Sequence, residues 1–403
     1  MTWPASPDSP TSPEDNPPRP WPQTEEPADA EPSALNGPIA PGHSAAPRFE
    51  SADLSSPERI PNFGHLILLL VLVGFGALLA GILSQIALHR HLFGVTSLQE
   101  AVTDVHYALG SEAILYLVSL AACLIVFPLI WQKGFFSGIQ WNFMTAWRLR
   151  WRLVAAAFAC FVLALLNTVI VPGPSKTPIE KIFRTPGAAW LLFAFGVTFA
   201  PFFEETFFRG FLLPAFCTCY DWIAEHIARP ADLRTDLGGR VHWPASAQIA
   251  AAIVTAIPFA GLCAFPRSHD IPHIAVRVLI VLAWLAGIGL AWLLIGHPWN
   301  RRPAVHAIST AVVDSNQHPV WSAPAMILIS LYTSLAFALM HGEQTAYSLG
   351  PFVLLVGVSL VLSAVRLGTR SLAASTLVHA SYNFMLFFIM AVSTHGFRHM
   401  DKL

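Results

Sequence analysis

Two adjacent carboxylates, Glu204 and Glu205, interrupt an otherwise uncharged run in the stretch APFFEETFFRGFLLP, from Ala200 to Pro214, and Arg209 follows four residues after the second. From Gly187 to Phe203 there is no charge at all. A charged side chain at bilayer depth costs about 2.5–3.5 kcal/mol on insertion scales, so one retained there marks a functional site by default. Neighbouring carboxylates also disfavour each other's ionisation. Spacing divides the pair. Glu205 and Arg209 stand i,i+4 on a helix and can neutralise each other as a structural ion pair. Glu204 has no such partner and is the one expected to do chemistry.

Two later segments place further polar groups in apolar runs. In Ser334–His341 (SLAFALMH), Phe337 and His341 are four apart and share one helix face. In Leu377–Asn383 (LVHASYN), His379 and Asn383 have the same spacing. A single buried histidine is more often a packing residue than a catalytic one. Two of them with an asparagine, beside a glutamate pair, suit hydrolysis. A carboxylate can act as general base on water, a histidine can share that proton, and His and Asn donors can stabilise an oxyanion. The same Glu and His could instead hold a divalent metal such as zinc that activates the water. The residue types do not separate these mechanisms.

The elements that must position these groups are membrane helices. Of 403 residues, 54% are hydrophobic and 12% charged, with a mean hydropathy of +0.55; soluble domains carry about 25% charged residues. A crossing needs about 20 mostly apolar residues. Candidate spans are Leu66–Leu88, Tyr107–Trp131, Leu153–Val171, Gly187 to about Phe216, Gln248–Phe265, Ile274–Ile295, Pro324–Met340, Leu349–Val365 and Leu372–Val392. The expected fold is therefore all-α, a polytopic membrane helical bundle of about eight or nine transmembrane helices. Pro201 can kink the fourth span just before Glu204, because it lacks a backbone donor. Gly210 could let another helix approach closely. Trp141, Trp147 and Trp151 alternate with Arg148, Arg150 and Arg152, a pattern suited to a segment at the membrane interface.

Residues 1–61 hold 15 of the 32 prolines, and residues 1–59 carry a net charge of −7. Such a segment buries too little apolar surface to offset its ordering entropy, so a disordered tail is expected. It has neither the basic start nor the apolar core of a signal peptide. Five cysteines without a CxxC pair argue against a disulfide framework or a thiolate zinc site. No dense basic patch points to a nucleic-acid partner. Lys133, Arg148 and Arg150, then Arg229, Arg234 and Arg240, then Arg301 and Arg302, then Arg366 and Arg370 fall between spans on one side, which predicts a cytoplasmic N-terminus. Lys176, Lys181 and Arg184 break the rule.

Glu204-Glu205-Thr-Phe-Phe-Arg209, Phe337-Ala-Leu-Met-His341 and His379-Ala-Ser-Tyr-Asn383 together resemble the EExxxR, FxxxH and HxxxN motifs of the CPBP intramembrane proteases. That family includes the type II CAAX prenyl endopeptidases and Abi-type bacteriocin-processing or self-immunity proteins. Leu367–Leu372 also resembles the family's approach to its last motif, with Arg370 where Gly is common. The resemblance covers about residues 187–394. It implies an integral membrane peptidase, in a bacterial plasma membrane, that acts on a membrane-associated peptide or protein. Glu204 and His341 would activate water, His379 and Asn383 would stabilise the oxyanion, and Glu205 and Arg209 would hold the site together. The metal-free glutamate reading is favoured; a metal-dependent enzyme would use Glu204, His341 and His379 as ligands.

The first two motifs are 128 positions apart, from Arg209 to Phe337, farther than is usual in that family. An inserted segment at about 220–320 is expected, with a CPBP-like core over 187–394, N-terminal helices over 62–186 and a short tail over 395–403. His341 ends its apolar run, so it meets Glu204 only where a cavity opens to that surface. Two other classes remain in view. One is a non-catalytic scaffold or immunity protein that keeps the motif for structure. The other is a proton-coupled transporter, which would favour internal repeats that the sequence does not show.

Overall fold

The computed structural model describes residues 61–170, 188–228, 234–235, 241–264, 321–342, 344–345 and 348–399. The expected disordered tail, the expected crossing at Ile274–Ile295 and most of the loops counted for orientation lie outside these residues.

The described chain is helical apart from a minimal antiparallel ladder, β1 (Arg234–Thr235) against β2 (Val241–His242). In order, its helices are α1 (Phe63–His89), α2 (Leu98–Thr103), α3 (Val105–Trp131), α4 (Phe135–Gly138), α5 (Phe143–Ile170), α6 (Ala188–Val197) and α7 (Phe199–Glu205). A π-helical turn, Thr206–Leu212, leads into α8 (Leu213–Ile227). Then come α9 (Ala245–Ala264), α10 (Ala323–Met340), α11 (Leu349–Thr369) and α12 (Leu372–Ser393).

Polar residues start these helices and apolar ones carry them. Asn62 accepts from the His65 amide to open α1, Asp104 caps His106 and Tyr107 at the start of α3, and Ser371 accepts from the Ala374 amide to open α12. Each satisfies amides that the first turn leaves without partners. Among the described residues, seven helical stretches are long and apolar enough to cross a membrane, counting α6 to α8 (Ala188–Ile227) as one. Helix α9 forms where the fifth span was expected.

Two packing layers hold the site. One centres on an aromatic cluster: Phe127 and Trp131 of α3, Phe135 of α4 and Phe211 of the π turn, with Phe127 5.0 Å from Phe211 and Trp131 stacked on Phe135. The other joins α5 to α11 and α12 through Ala157, Cys160, Val358, Leu362, Ala374 and Val378. The connector between α4 and α5 links the layers. Its Gln140 carbonyl accepts from the Leu372 amide and its Asn142 carbonyl from the Ser371 hydroxyl.

The Trp/Arg segment runs into α5, which is continuous from Phe143; Trp147 and Trp151 are exposed on its first turns. Arg366, read as a loop charge, is in the last turn of α11 and buried. It reaches the carbonyl of Arg209 and the side chain of Gln140, so it braces the site rather than marking a side of the membrane. Arg370 ends α11 at φ +52°, a left-handed conformation favouring glycine, which accounts for Gly being usual there.

Candidate active site

The glutamates sit where one long helical stretch is broken twice. The axis breaks first at Thr198, three residues ahead of Pro201, whose ring lacks the N–H that would satisfy the Val197 carbonyl. It changes again at Glu205, where the π turn begins. A π turn inserts one residue per turn and is frequent at functional sites. Here it sets Arg209 beside Glu205 and lets α12 press on Gly210, where a β-carbon would stand 3.3 Å from Leu372 Cδ2. The close approach expected at Gly210 is thus made by the start of the helix that carries His379.

Glu205 and Arg209 are the buried pair. Arg209 Nη1 donates to Glu205 Oε1 at 2.7 Å, with side-chain exposures of 1% and 0%. Arg209 Nη2 donates to the carbonyl and hydroxyl oxygens of Ser359 on α11, at 2.9 and 2.6 Å. Removing one partner of such a pair strands a buried charge, at a cost of about 3–5 kcal/mol. The pair therefore ties the π turn to α11. His379 joins it, with Nδ1 3.1 Å from the same Glu205 oxygen.

Glu204 faces the other way and is 19% exposed. Its Oε1 lies 3.7 Å from His341 Nε2 and its Oε2 lies 3.6 Å from His379 Nε2. Both separations are slightly longer than a hydrogen bond. The second nitrogen of each ring is already engaged. His341 Nδ1 donates to the Phe337 carbonyl at 2.8 Å, and His379 Nδ1 faces Glu205. A carbonyl and a carboxylate accept, so both rings hold their proton on Nδ1 and turn Nε2 to the space beside Glu204. His341 is the residue after α10, and the site reaches it there.

Phe337 supports both rings, at 4.5 Å from His341 and 5.8 Å edge-on to His379. Asn383 is used elsewhere. Its amide donates at 2.8 Å to the Gly196 carbonyl, on the last turn of α6 before the break. Glu204, His341 and His379 thus come together, with Glu205 and Arg209 behind them, while Asn383 holds the break. Among the described residues no three His, Cys, Asp or Glu side chains gather closely enough to hold a metal ion.

The matched family adds a second line of argument. A family model described as type II CAAX prenyl endopeptidase Rce1-like matches residues 186–299 and 311–385, a little under half of the chain. Over these residues the chain is similar to that CAAX protease family. All three motifs fall inside the match, and its interruption at 300–310 falls inside the segment expected as an insertion. No curated protein and no solved structure matched significantly. The likeness to a family of membrane proteases and the seven apolar helical stretches among the described residues together support an integral membrane protein.

Sequence spacing missed two contributors. Arg366 looked like a loop charge because it stands near the end of an apolar run. Glu112, a carboxylate in the first third of α3, was passed over inside a span. Its bond from Tyr116 Oη, 2.7 Å, and the stack of Tyr116 on Phe203 at 4.3 Å bring it towards Glu204. A lone acid in an otherwise uncharged span was the signal.

Proposed function

We propose that the protein is an intramembrane endopeptidase of metal-free, glutamate type, acting on a membrane-associated substrate, with prenylated CAAX-type peptides as the class to try first. One observation carries the reading: each oxygen of Glu204 is faced, at 3.6–3.7 Å, by an imidazole Nε2 whose ring is pinned at Nδ1. A water beside Glu204, within reach of both groups, can donate one hydrogen bond to Glu204 and another to His341 Nε2. Its oxygen is then a nucleophile for a scissile carbonyl, with Glu204 as general base. His379, once it carries a proton on Nε2, donates to the developing oxyanion. Asn383 has one amide hydrogen on Gly196 and a second available for that oxyanion. Glu205 and Arg209 keep the two histidine-bearing helices in register with Glu204.

The lysine and arginine pattern supports a cytoplasmic N-terminus, with Arg366 now removed from it. The test uses purified protein in lipid nanodiscs and a quenched fluorogenic peptide, offered with and without a prenylated cysteine. Wild type should cleave, and Glu204→Gln and His341→Ala should lose turnover while keeping the wild-type melting profile. Cleavage that survives in both variants would sink the reading. Folded wild-type protein that binds but never cleaves would favour a scaffold.

A further inference from the structure

A hydrolase needs a proton for the leaving amine as well as a base for the water. Glu204 and the two histidines account for the base and the oxyanion, and Glu112 is a second carboxylate in electrostatic range of Glu204. Glu112 is half-buried in α3, and its one hydrogen bond among the described residues is the one from Tyr116 to Oε1. No described cation pairs with it. An unpaired carboxylate in an apolar span is costly if charged, and a shared proton removes that cost. Tyr116 fixes its place: the phenol ring stacks at 4.3 Å on Phe203, the residue before Glu204, and at 5.9 Å on Phe195 of α6. The ionisable groups in electrostatic range of Glu112 are Tyr116 on its own helix, Glu204 from α7 and His341 after α10. Helix α1, which packs along α3, carries no ionisable residue between His65 and His89; its Ser84 bonds to Ser111.

We propose that Glu112, held by Tyr116, is a further catalytic residue, the acid that protonates the leaving amine. This rests on the hydrolytic reading above. Two carboxylates in one site divide into base and acid when their surroundings differ. Glu204 takes a proton from water, and the hydroxide oxygen bonds to the scissile carbonyl carbon. The C–N bond breaks, and its electron pair takes the proton from Glu112 Oε2, giving a free amine. The proton held by Glu204 then passes through the next water to Glu112, and both groups are restored.

The test compares pH–rate profiles of wild type, Glu112→Gln, Tyr116→Phe and Glu204→Gln in nanodiscs. Glu112→Gln is expected to lower kcat about 100-fold, in the range for general acid catalysis, to leave KM within about twofold and to lose the alkaline limb. Retained kcat, or lost kcat with both limbs in place, overturns the proposal. Tyr116→Phe keeps the acid but removes the donor to its charged form, so the alkaline limb should move to higher pH. An unmoved limb there overturns the proposal even where Glu112→Gln fails to fold. Turnover that survives Glu204→Gln sinks the hydrolytic reading itself. Turnover lost in Glu204→Gln and intact in Glu112→Gln sinks only the acid.

Discussion

The guanidinium of Arg209 lies over the ring of Phe337, 5.0 Å from its centroid, on the residue that begins the FxxxH spacing. The same ring supports His341 and His379. The phenylalanine therefore joins the structural ion pair to both imidazoles, which explains why an aromatic residue belongs one turn before the histidine.

Phe337 is 1% exposed, so its loss is felt in both stability and rate. Phe337→Ala should destabilise by about 3–5 kcal/mol, the usual cost of emptying a buried aromatic site. Phe337→Leu fills most of the volume but removes the cation–π contact, worth about 0.5–2 kcal/mol. A folded Phe337→Leu protein should show turnover reduced about tenfold, because a misplacement near 1 Å is enough to lower rates. Thermal melting and peptide turnover on the same preparation check both parts. Full turnover in Phe337→Leu would deny the ring its role in placing the histidines.

The two glutamates should separate cleanly by assay. Glu204 is partly exposed and unpaired with Arg209, so Glu204→Gln should melt like wild type while losing turnover. Glu205→Gln leaves Arg209 charged and buried, and should cost about 3–5 kcal/mol. Joint replacement by Glu205→Gln and Arg209→Met should be milder than Glu205→Gln alone, since no charge is stranded. A double variant less stable than the sum of its singles would refute the ion-pair account.

What could be read from residue order followed from length and local spacing. Most of the described apolar runs formed helices close to their expected bounds, since about 20 uncharged residues leave the backbone few alternatives in a bilayer, but α5 begins at Phe143, ahead of the expected Leu153, and the fourth stretch runs on to Ile227. Glu205 and Arg209 were legible because they are one turn apart. Contacts between distant segments were not. Asn383 shows no sign that its partner is Gly196, 187 residues earlier. The π turn has no residue signature, because a shift from i+4 to i+5 bonding changes no side-chain type. Arg366 and Glu112 carry charges whose meaning depends on which helix packs opposite.

Gly138 gives a test of the connector that braces the site. A β-carbon there would clash with Trp131 Cε3, and that ring is buried between Phe127, Phe135 and Phe211. The ring cannot swing away as a flexible chain end could. Gly138→Ala should therefore destabilise by about 1–3 kcal/mol, the cost of overpacking a filled core. The turn after Gly138 supplies the acceptors for Arg366 and Leu372, so turnover should fall as well. Wild-type melting in Gly138→Ala would show that the connector is not tightly docked.

The far end of α10 gives the last test, because it sets the helix that ends in His341. Asp221 of α8 accepts from the Ser322 hydroxyl at 2.6 Å and from its amide at 3.1 Å, and Trp321 Nε1 donates to Thr218 at 3.0 Å. Ser322 in turn caps the Ala325 amide. One end of α10 is thus fixed to α8, and the other carries His341 about 27 Å away, at 1.5 Å per residue. Ser322→Ala removes the cap and the bond to Asp221, and should cost about 1 kcal/mol. Asp221→Ala strands the Ser322 donors and should cost more, about 1–3 kcal/mol. A rigid helix passes a shift at its start to its end, so both variants should lower kcat with little change in KM. Equal destabilisation at a site far from α10, such as Asp104→Ala at the start of α3, serves as the control. If that control lowers kcat as much as Ser322→Ala does, the anchor contributes stability alone and does not set the register of His341.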